Sequence, residues 1–324
     1  MSTILTERSA LFIKQAPTAP TPPAGFVETS KPILVTPIFS KISTNRMNGS
    51  MNSQDELIDL CHSKASFTAG VDMRATGTSK AHLKAPPEYA ELLKVSGFKG
   101  KAGTDTYELH NTTTAIPHGS AEVFLDGHNF TFTDTLVGAT TFDFTIGKVA
   151  NISTVLSGYI DSEIPATTPN PKVTLNPEKS LVVSCLDIVT YDGKVVPAEN
   201  IIIKTNPQIK ESYTMGGTAG IKQNTITNYS LTMEIKFPVD GANYADASTA
   251  IRNADIKEVR IVIGADKQKR AVDGESVLIL CDTTKMVSYT DSDNGGLLDR
   301  VLSFRLFDST NPAMRLITGK TSGL

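Results

Sequence analysis

Histidine and cysteine are the residues of this chain best suited to bind a metal. All five histidines lie in the part of the 324-residue chain that ends at His128, which is compatible with a metal site. They are His62, His82, His110, His118 and His128. None forms an i, i+4 pair on a predicted helix, and Cys61, Cys185 and Cys281 never occur as C-x-x-C. The spacing predicts no metal site, histidines at the surface or in turns, and unpaired thiols in a reducing compartment.

Nucleotide and nucleophile motifs are the next source of chemistry. Gly100-Lys101 lacks the upstream glycine of a phosphate-binding loop, and Gly147-Lys148 is not followed by Ser or Thr. The GGTAG segment at 216–220 is not a dinucleotide-binding fingerprint. The chain also contains neither G-x-S-x-G nor H-E-x-x-H. We therefore predict no catalytic residues, no cofactor and no enzymatic activity.

The charge of the chain is nearly balanced overall but segregated locally. The 31 basic and 34 acidic residues give a net charge of −3, too small a field to hold DNA tightly. Residues 64–101 carry a local +4 and residues 102–162 a local −6. Two interpretations stay open: solvated faces, or complementary self-association with an acidic strand face that repels a polyanion. The chain has neither a membrane-length apolar run nor a secretory signal, which predicts synthesis in the cytoplasm.

Period-two alternation of apolar and polar residues is the dominant structural pattern, and it predicts half-buried strands with one polar face. It occurs at 66–73, 141–146, 229–237, 259–263 and 302–306. The polar positions include Asp72, Asp143 and Glu234. The pattern predicts a mainly β protein.

Turns and helices are signalled at a few places. Asp126-Gly127 and Asp192-Gly193 are dipeptides that favour two-residue hairpin turns. Short helices are predicted within PPEYAELLKVSGF at 86–98 and within YADASTAIRNA at 244–254. A third is predicted in SQDELIDLC, from Ser53, because Ser53 and Glu56 form a capping-box pattern.

Two segments differ from the strand-rich background. Residues 15–32 are dense in Pro, Thr and Ala, which predicts an extended arm, placed at 1–31. Residues 206–225 form a long tract with glycines at its tip, and loops of this length are usually functional or disordered. Partner contact and an unstructured hairpin are the two interpretations. Its candidate contact residues are Tyr213, Met215, Gly216, Gly217 and Ile221.

The order of the predicted elements occurs twice. A long alternating strand, a short helix, a hairpin and further strands describe both 66–161 and 229–307. The offset is close to half the chain, which hints at a structural duplication.

Two stretches of the first half carry a resemblance to a known family. They are SFTAGVDMRATGTSKAHLKAPPEYAELLKVSGF at 66–98, and AEVFLDGHNFTFTDTLVGATTFDFTIGKVANISTVLSGYI at 121–160. In element order they resemble the tail tube (major tail) proteins of long-tailed, siphophage-type bacteriophages and prophages. The second half follows more loosely, through SLVVSCLDIVTYDG and NYSLTMEIKFP. The resemblance covers most of residues 32–308, whereas the arm and the insert at 46–62 depart from it.

The resemblance implies a fold and a structural role. The fold is two tail-tube-type β-sandwich or barrel domains, at 32–165 and 166–324, each with one short flanking helix. Strands of neighbouring subunits join into one barrel, and the long loop at 206–225 reaches the adjacent ring. Stacked rings form the tube through which DNA passes, and the polar positions Asp72, Asp143 and Glu234 suit its wet lumen.

The same resemblance implies partners and a location. Two tube domains per chain favour a trimeric, pseudo-sixfold ring over a hexamer. The expected partners are further copies of the chain, tape measure, tail terminator and distal tail proteins, with transient passage of DNA and no membrane. The location is the virion tail, after synthesis in the host bacterial cytoplasm. A surface or extracellular β-sandwich that binds carbohydrate or protein is the alternative, and it requires export.

Overall fold

The computed structural model shows a mainly β protein, as predicted. The described residues contain seventeen strands and two helices, and their antiparallel sheet network is not closed. The structure describes residues 9–22, 24–45, 54–74, 76–77, 86–101, 105–109, 118–125, 128–165, 179–213, 221–239 and 247–319.

The elements divide into two series along the chain. The first comprises β1 Ser9–Lys14, β2 Phe26–Val27, β3 Thr36–Asn45, β4 Gln54–Asp72, α1 Ala90–Val95, β5 Lys99–Gly100, β6 Thr106–Leu109, β7 Gly119–Leu125, β8 His128–Thr145 and β9 Asn151–Pro165. The second comprises β10 Ile188–Tyr191, β11 Lys194–Val195, β12 Asn200–Tyr213, β13 Ile221–Pro238, α2 Ala247–Asn253, β14 Ile256–Ile263, β15 Val277–Asn294, β16 Leu297–Leu306 and β17 Met314–Ile317.

The two series repeat the same strand order. Neighbouring strands pair as β2-β1-β7-β8-β9-β4-β3 in the first series. They pair as β11-β10-β14-β15-β16-β13-β12 in the second. Helix α1 follows β4, and α2 follows β13 in the same place. Each of these seven strands therefore has a counterpart in the other series, with β15 corresponding to β8 and β12 to β3.

One pairing, between β8 and β12, joins the two series into a continuous sheet. Its register runs from Thr141 opposite Lys204 to Thr145 opposite Asn200. Beyond Lys204 a side chain continues the ladder: the Thr205 hydroxyl accepts from the Thr140 amide at 2.9 Å and donates to the Thr140 carbonyl at 3.2 Å. The Thr140 hydroxyl also lies 3.0 Å from that of Thr154. Because this polar cluster is buried, its hydrogen bonds are obligatory.

The main hydrophobic core extends through both predicted domains. It runs from Leu11 to Leu316 as one cluster of buried residues. Strand β17 pairs with β15 of its own half and with β6 of the other half. The buried Tyr229 hydroxyl donates to the Ser96 carbonyl, again between the halves, at 3.1 Å. The halves proposed at 32–165 and 166–324 are thus packed together.

The predicted alternation and two helices are confirmed. Phe67, Ala69 and Val71 are buried on β4 while Thr68 between them is exposed. Helix α1 lies within the predicted segment, buries its apolar side and ends before Gly97, whose φ is 97°. Helix α2 lies within 244–254. Apolar residues two apart on strands, and three to four apart on α1, face the same core.

The hairpin predicted at Asp192-Gly193 is also confirmed. Both residues have positive φ, 51° and 73°, as a type I′ turn requires, and Tyr191 pairs with Lys194 across it. Leu125 likewise pairs with His128, although residues 126–127 lie outside the described ones. Sequence reasoning missed the corresponding turn at Gly295-Gly296, where both φ values are positive.

The helix predicted from Ser53 is wrong. Residues 54–61 belong to β4, which pairs with β3 from Asn45 opposite Gln54 to Thr36 opposite Ser66. A short helix forms few internal hydrogen bonds and is marginal without packing, whereas a paired strand gains a full ladder. The tertiary pairing therefore overrides the capping-box pattern.

The predicted arm at 1–31 contains two strands, β1 and β2. Strand β1 pairs with β7 along its whole length and with β2. Leu11 and Ile13 enter the main core, and Phe12 packs against Phe26 and Phe124 with ring centroids 5.7 Å away in each case. The prediction of an arm rested on the proline-rich residues 15–32 and took no account of the apolar stretch that precedes them.

The β8–β12 junction is tested by replacing Thr205 with Val, which keeps the side-chain volume and removes the hydroxyl. The Thr140 amide and carbonyl then lose a buried partner, and we expect a loss of about 1–3 kcal/mol in the free energy of unfolding. Thr232→Val on the polar side of β13 is the matched control, with an expected change below about 0.5 kcal/mol. Urea denaturation measures both variants, and equal effects would contradict the role of the Thr205 hydroxyl.

Candidate functional site

The three predicted lumen residues lie in one row across the joined sheet. Asp72 on β4 pairs with Asn151 on β9, and Asn151 pairs with Asp143 on β8. Asp143 pairs with Ile202 on β12, which pairs with Glu234 on β13. Because directly paired residues of antiparallel strands point to the same face, these carboxylates share a face. We call Asp72, Asp143 and Glu234 the acidic row, and this side of the strands the polar face.

The polar face extends over seven strands, in the order β4-β9-β8-β12-β13-β16-β15. The opposite face of the same strands carries the core, for example Phe142 on β8, Met233 on β13 and Phe304 on β16. A period-two pattern on every strand, held in register by the pairing, produces these two faces.

Hydrogen bonds orient two of the three acidic-row carboxylates. The Asn151 amide donates to Asp72 Oδ1 at 3.2 Å. Asp143 Oδ1 accepts from the Thr145 hydroxyl at 2.8 Å and from the Asn200 amide at 3.2 Å. Asn200 begins β12, so this network also crosses the junction between the halves.

A second row of charge lies two residues further along each strand, about 7 Å from the acidic row. Lys204 pairs with Thr232, Thr232 with Arg305, and Arg305 with Lys285. We call Lys204, Arg305 and Lys285 the basic row. The polar face thus carries charges of both signs. Sequence reasoning missed the basic row because its cations come from three strands whose register only the fold establishes.

A further cation on this face is compensated by carboxylates. Lys236 Nζ lies 2.8 Å from Asp299 and 3.8 Å from Glu199. The hydrogen bond to Asp299 raises the pKa of Lys236, and the same bond lowers the pKa of Asp299. Similar pairs hold Arg300 to Asp291 at 2.7 Å and Lys257 to Asp192 at 3.0 Å. Carboxylates thus compensate Lys236, Arg300 and Lys257, whereas Lys204, Arg305 and Lys285 form no ion pair among the described residues.

An open groove of about 330 Å³ adjoins the acidic row in the first half. It lies between the segment 30–32 and strands β4, β9 and β8. The groove is lined by one carboxylate, that of Asp143, and by two amines, those of Lys31 and Lys148. The groove extends the polar face toward the turn between β8 and β9.

The predicted contact tract at 206–225 is largely a β-hairpin. Strand β12 continues to Tyr213, and β13 begins at Ile221, directly opposite it. Met215, Gly216 and Gly217 lie outside the described residues. The β3–β4 hairpin, with Asn45 opposite Gln54, holds the corresponding place in the first half and contains the insert at 46–62. Four antiparallel pairings connect β3 to β12, and each pairing reverses the strand direction, so β3 and β12 run in the same direction. Both hairpins therefore leave the sheet at the same end.

The described residues include no group of three His, Cys, Asp or Glu side chains arranged to hold a metal ion. His118 is buried with Nδ1 3.8 Å from Asp134, and His128 begins β8. His82 and His110 lie outside the described residues. In the part of the chain that the structure describes, no helix has the length and apolar character needed to cross a membrane. Cys281 is buried, and burial raises the pKa of its thiol.

Comparison of the chain with models of protein families and with curated proteins gives no match.

Stability should depend on pH through His118. Burial lowers the pKa of His118, which outweighs the opposing effect of Asp134. The unfolded chain therefore binds a proton at His118 more readily than the folded chain does. The stabilisation by neutral His118 is complete above about pH 6.5, and it is lost as the pH falls through the lowered pKa of the folded protein. We expect the wild type to lose more unfolding free energy than His118→Gln between about pH 7.5 and 5.5. Denaturant titration at both pH values measures this, and an equal loss in both proteins contradicts the assignment.

Proposed function

We propose that this protein is a structural subunit that self-assembles into rings, which stack into the tail tube of a long-tailed bacteriophage. The pairing of β8 with β12 carries this proposal. It places two series of strands of the same order side by side in one sheet, as two neighbouring subunits of a ring would stand. The role is structural rather than catalytic.

The strand order defines which edges join next. Strand β8 meets residues 200–204 of β12 inside the chain, so the counterparts of these two edges remain for a second copy: the end of β15, and the β3 edge at residues 30–34, which lead into β3 beside the end of β4. Among the described strands, β3 pairs only with β4. The final residues of β15 pair only with β16, and residues 287–298 of this hairpin are exposed on both faces.

Joining β15 of one copy to β3 of the next satisfies both edges. Unpaired edge strands present free backbone donors and acceptors, which a closed arrangement removes. The contact uses two different surfaces, so it is head-to-tail and closes into a ring when the rotation permits. Three chains supply six series of strands, which favours a trimer with pseudo-sixfold symmetry over a hexamer.

The polar face then lines the lumen, with Asp72, Asp143 and Glu234 at one level. A weak or repulsive contact lets DNA slide along this face during ejection. Tape measure, tail terminator and distal tail proteins are the remaining partners that the proposal requires. The protein acts in the virion tail after synthesis in the host cytoplasm.

The two hairpins that leave the sheet at the same end supply the contact between rings. The β12–β13 hairpin includes the predicted residues Tyr213 and Ile221, and β3–β4 is its counterpart. Two such hairpins per chain give six per trimeric ring, which matches the pseudo-sixfold arrangement.

Trimming the β12–β13 hairpin tests stacking. Replacement of residues 212–223 by Asn-Gly joins the paired Glu211 and Asn224 through a two-residue turn. We expect negative-stain electron microscopy to show rings and tubes for the wild type, and rings without tubes for this variant. Normal tubes from the trimmed chain contradict the stacking role, and a wild type that stays monomeric at high concentration contradicts the proposed function.

Cysteine cross-linking tests the pairing of β15 with β3. Thr290→Cys on β15 is combined in turn with Cys at each of residues 30–34, which lie beside the end of β4 as residues 200–204 lie beside β13, in a chain whose native cysteines are Ala. Only side chains on the same face approach closely enough for a disulfide, so every second position should link chains. Thr290→Cys with Val195→Cys, an exposed residue of β11, is the control and should not cross-link.

The products are separated by non-reducing electrophoresis, and linked species up to three chains are expected. Linking without the two-residue period, or the same yield from the β11 control, contradicts edge pairing.

A further inference from the structure

We infer that the basic row is a contact site for the phosphodiester backbone of nucleic acid. That DNA is the ligand in the virion rests on the proposed function, since DNA passes the polar face only in a tube. The binding itself rests on the residues of the row. Lys204, Arg305 and Lys285 lie on β12, β16 and β15, and three strand intervals separate the first from the last, a distance of about 14 Å.

The basic row belongs to a longer row of paired residues across the sheet. This longer row consists only of glycine and of side chains that donate hydrogen bonds. Across the seven strands its members are Gly70, Ser153, Thr141, Lys204, Thr232, Arg305 and Lys285. Lysine, arginine and the hydroxyls of Ser and Thr are the side chains that contact phosphate oxygens in protein–DNA complexes. The row contains no carboxylate that would compete for its cations.

The charges of the row are not compensated within the described part of the chain. Arg305 and Lys285 are directly opposite each other, an arrangement of like charges that destabilises a sheet. Glu234 is the diagonal neighbour of Lys204 and Arg305, yet it forms no ion pair with either among the described residues. Lys236, on the same face, is held by two carboxylates. An external anion would relieve the repulsion at the basic row.

Arg305 is the strongest single contact expected in this row. Its guanidinium offers two parallel N–H donors to a phosphate, whereas each lysine acts as a point charge. Arg305 is exposed, and Lys204 and Lys285 are partly exposed, so a rod-shaped polyanion can reach all three across the open face.

The acidic row about 7 Å away limits the strength of this contact. A phosphate that approaches Lys204 also approaches the carboxylates of Glu234 and Asp143, which repel it. The result is a weak, sequence-independent contact that depends strongly on salt. Three neutralised phosphates correspond to a slope of about −2.7 in a plot of log K against log salt concentration.

The test is the binding of a short, fluorescently labelled DNA duplex to the full-length chain, followed by anisotropy at several salt concentrations. The wild type should bind with the slope given above. The variant K204Q/K285Q/R305Q should bind at least about 10-fold more weakly at low salt and lose most of the slope. R305Q alone should reduce the slope by about one.

A matched control removes the same charge elsewhere. K257Q/K267Q/K269Q also lowers the net charge by three, but these lysines lie on β14 and on the connection to β15. This control should bind within about 2-fold of the wild type, because affinity depends on contacts with the row and not on net charge. Circular dichroism verifies that each variant is folded, and R305Q remains informative if the triple variant unfolds.

Equal binding by the wild type and the basic-row variant overturns the inference, as does an equal loss in the control or no binding by the wild type at low salt. The outcome is separable from that of the proposed function. Rings and tubes without DNA binding would reject only the contact site, and salt-dependent binding by a chain that never forms rings would reject only the tube.

Discussion

The backbone ladder between β8 and β12 is the interaction on which the rest of this structure depends. It joins two series of strands with the same order, and it makes the alternating faces of seven strands continuous. At the end of this ladder the Thr205 hydroxyl, instead of a backbone group, forms hydrogen bonds with both the backbone amide and the carbonyl of Thr140. A hydroxyl in that position, surrounded by core residues, marks where the regular pairing ends and the strands diverge. The same ladder leaves β3 and β15, the counterparts of the joined strands, at the two edges.

The charge pattern of the polar face is a consequence of that register. The basic row lies on β12, β16 and β15 of the second half, and through the β8–β12 pairing it continues as hydroxyl residues onto β8 and β9 of the first. The acidic row draws on both halves in the same manner. Rows of opposite sign at neighbouring levels give a face with little net charge, which suits a surface along which a polyanion moves without being held.

Much of the fold follows from local pattern. Strict alternation identified parts of β13 and β16 and the end of β8, and Asp192-Gly193 identified a turn, since each signal arises from neighbouring residues. Alternation also placed Asp72, Asp143 and Glu234 on polar faces. That they form one row depends on pairings between distant strands, such as Asp72 with Asn151 and Asp143 with Ile202. The strand at 54–61 was mistaken for a helix because its partner β3, and not its own sequence, determines its conformation. Strand β1 was overlooked for a similar reason: its place between β7 and β2 is a tertiary fact.

The most direct measurement of the central claim is hydrogen–deuterium exchange of the two edge strands, in dilute and in concentrated protein. The account predicts that amides in 30–34 and 288–294 exchange quickly in the dilute monomer and become protected together as oligomers form, because only paired amides are shielded. Amides of the β8–β12 junction should be protected in both conditions. Persistent fast exchange at both edges in concentrated protein, or protection that spares one of the two, would contradict the account.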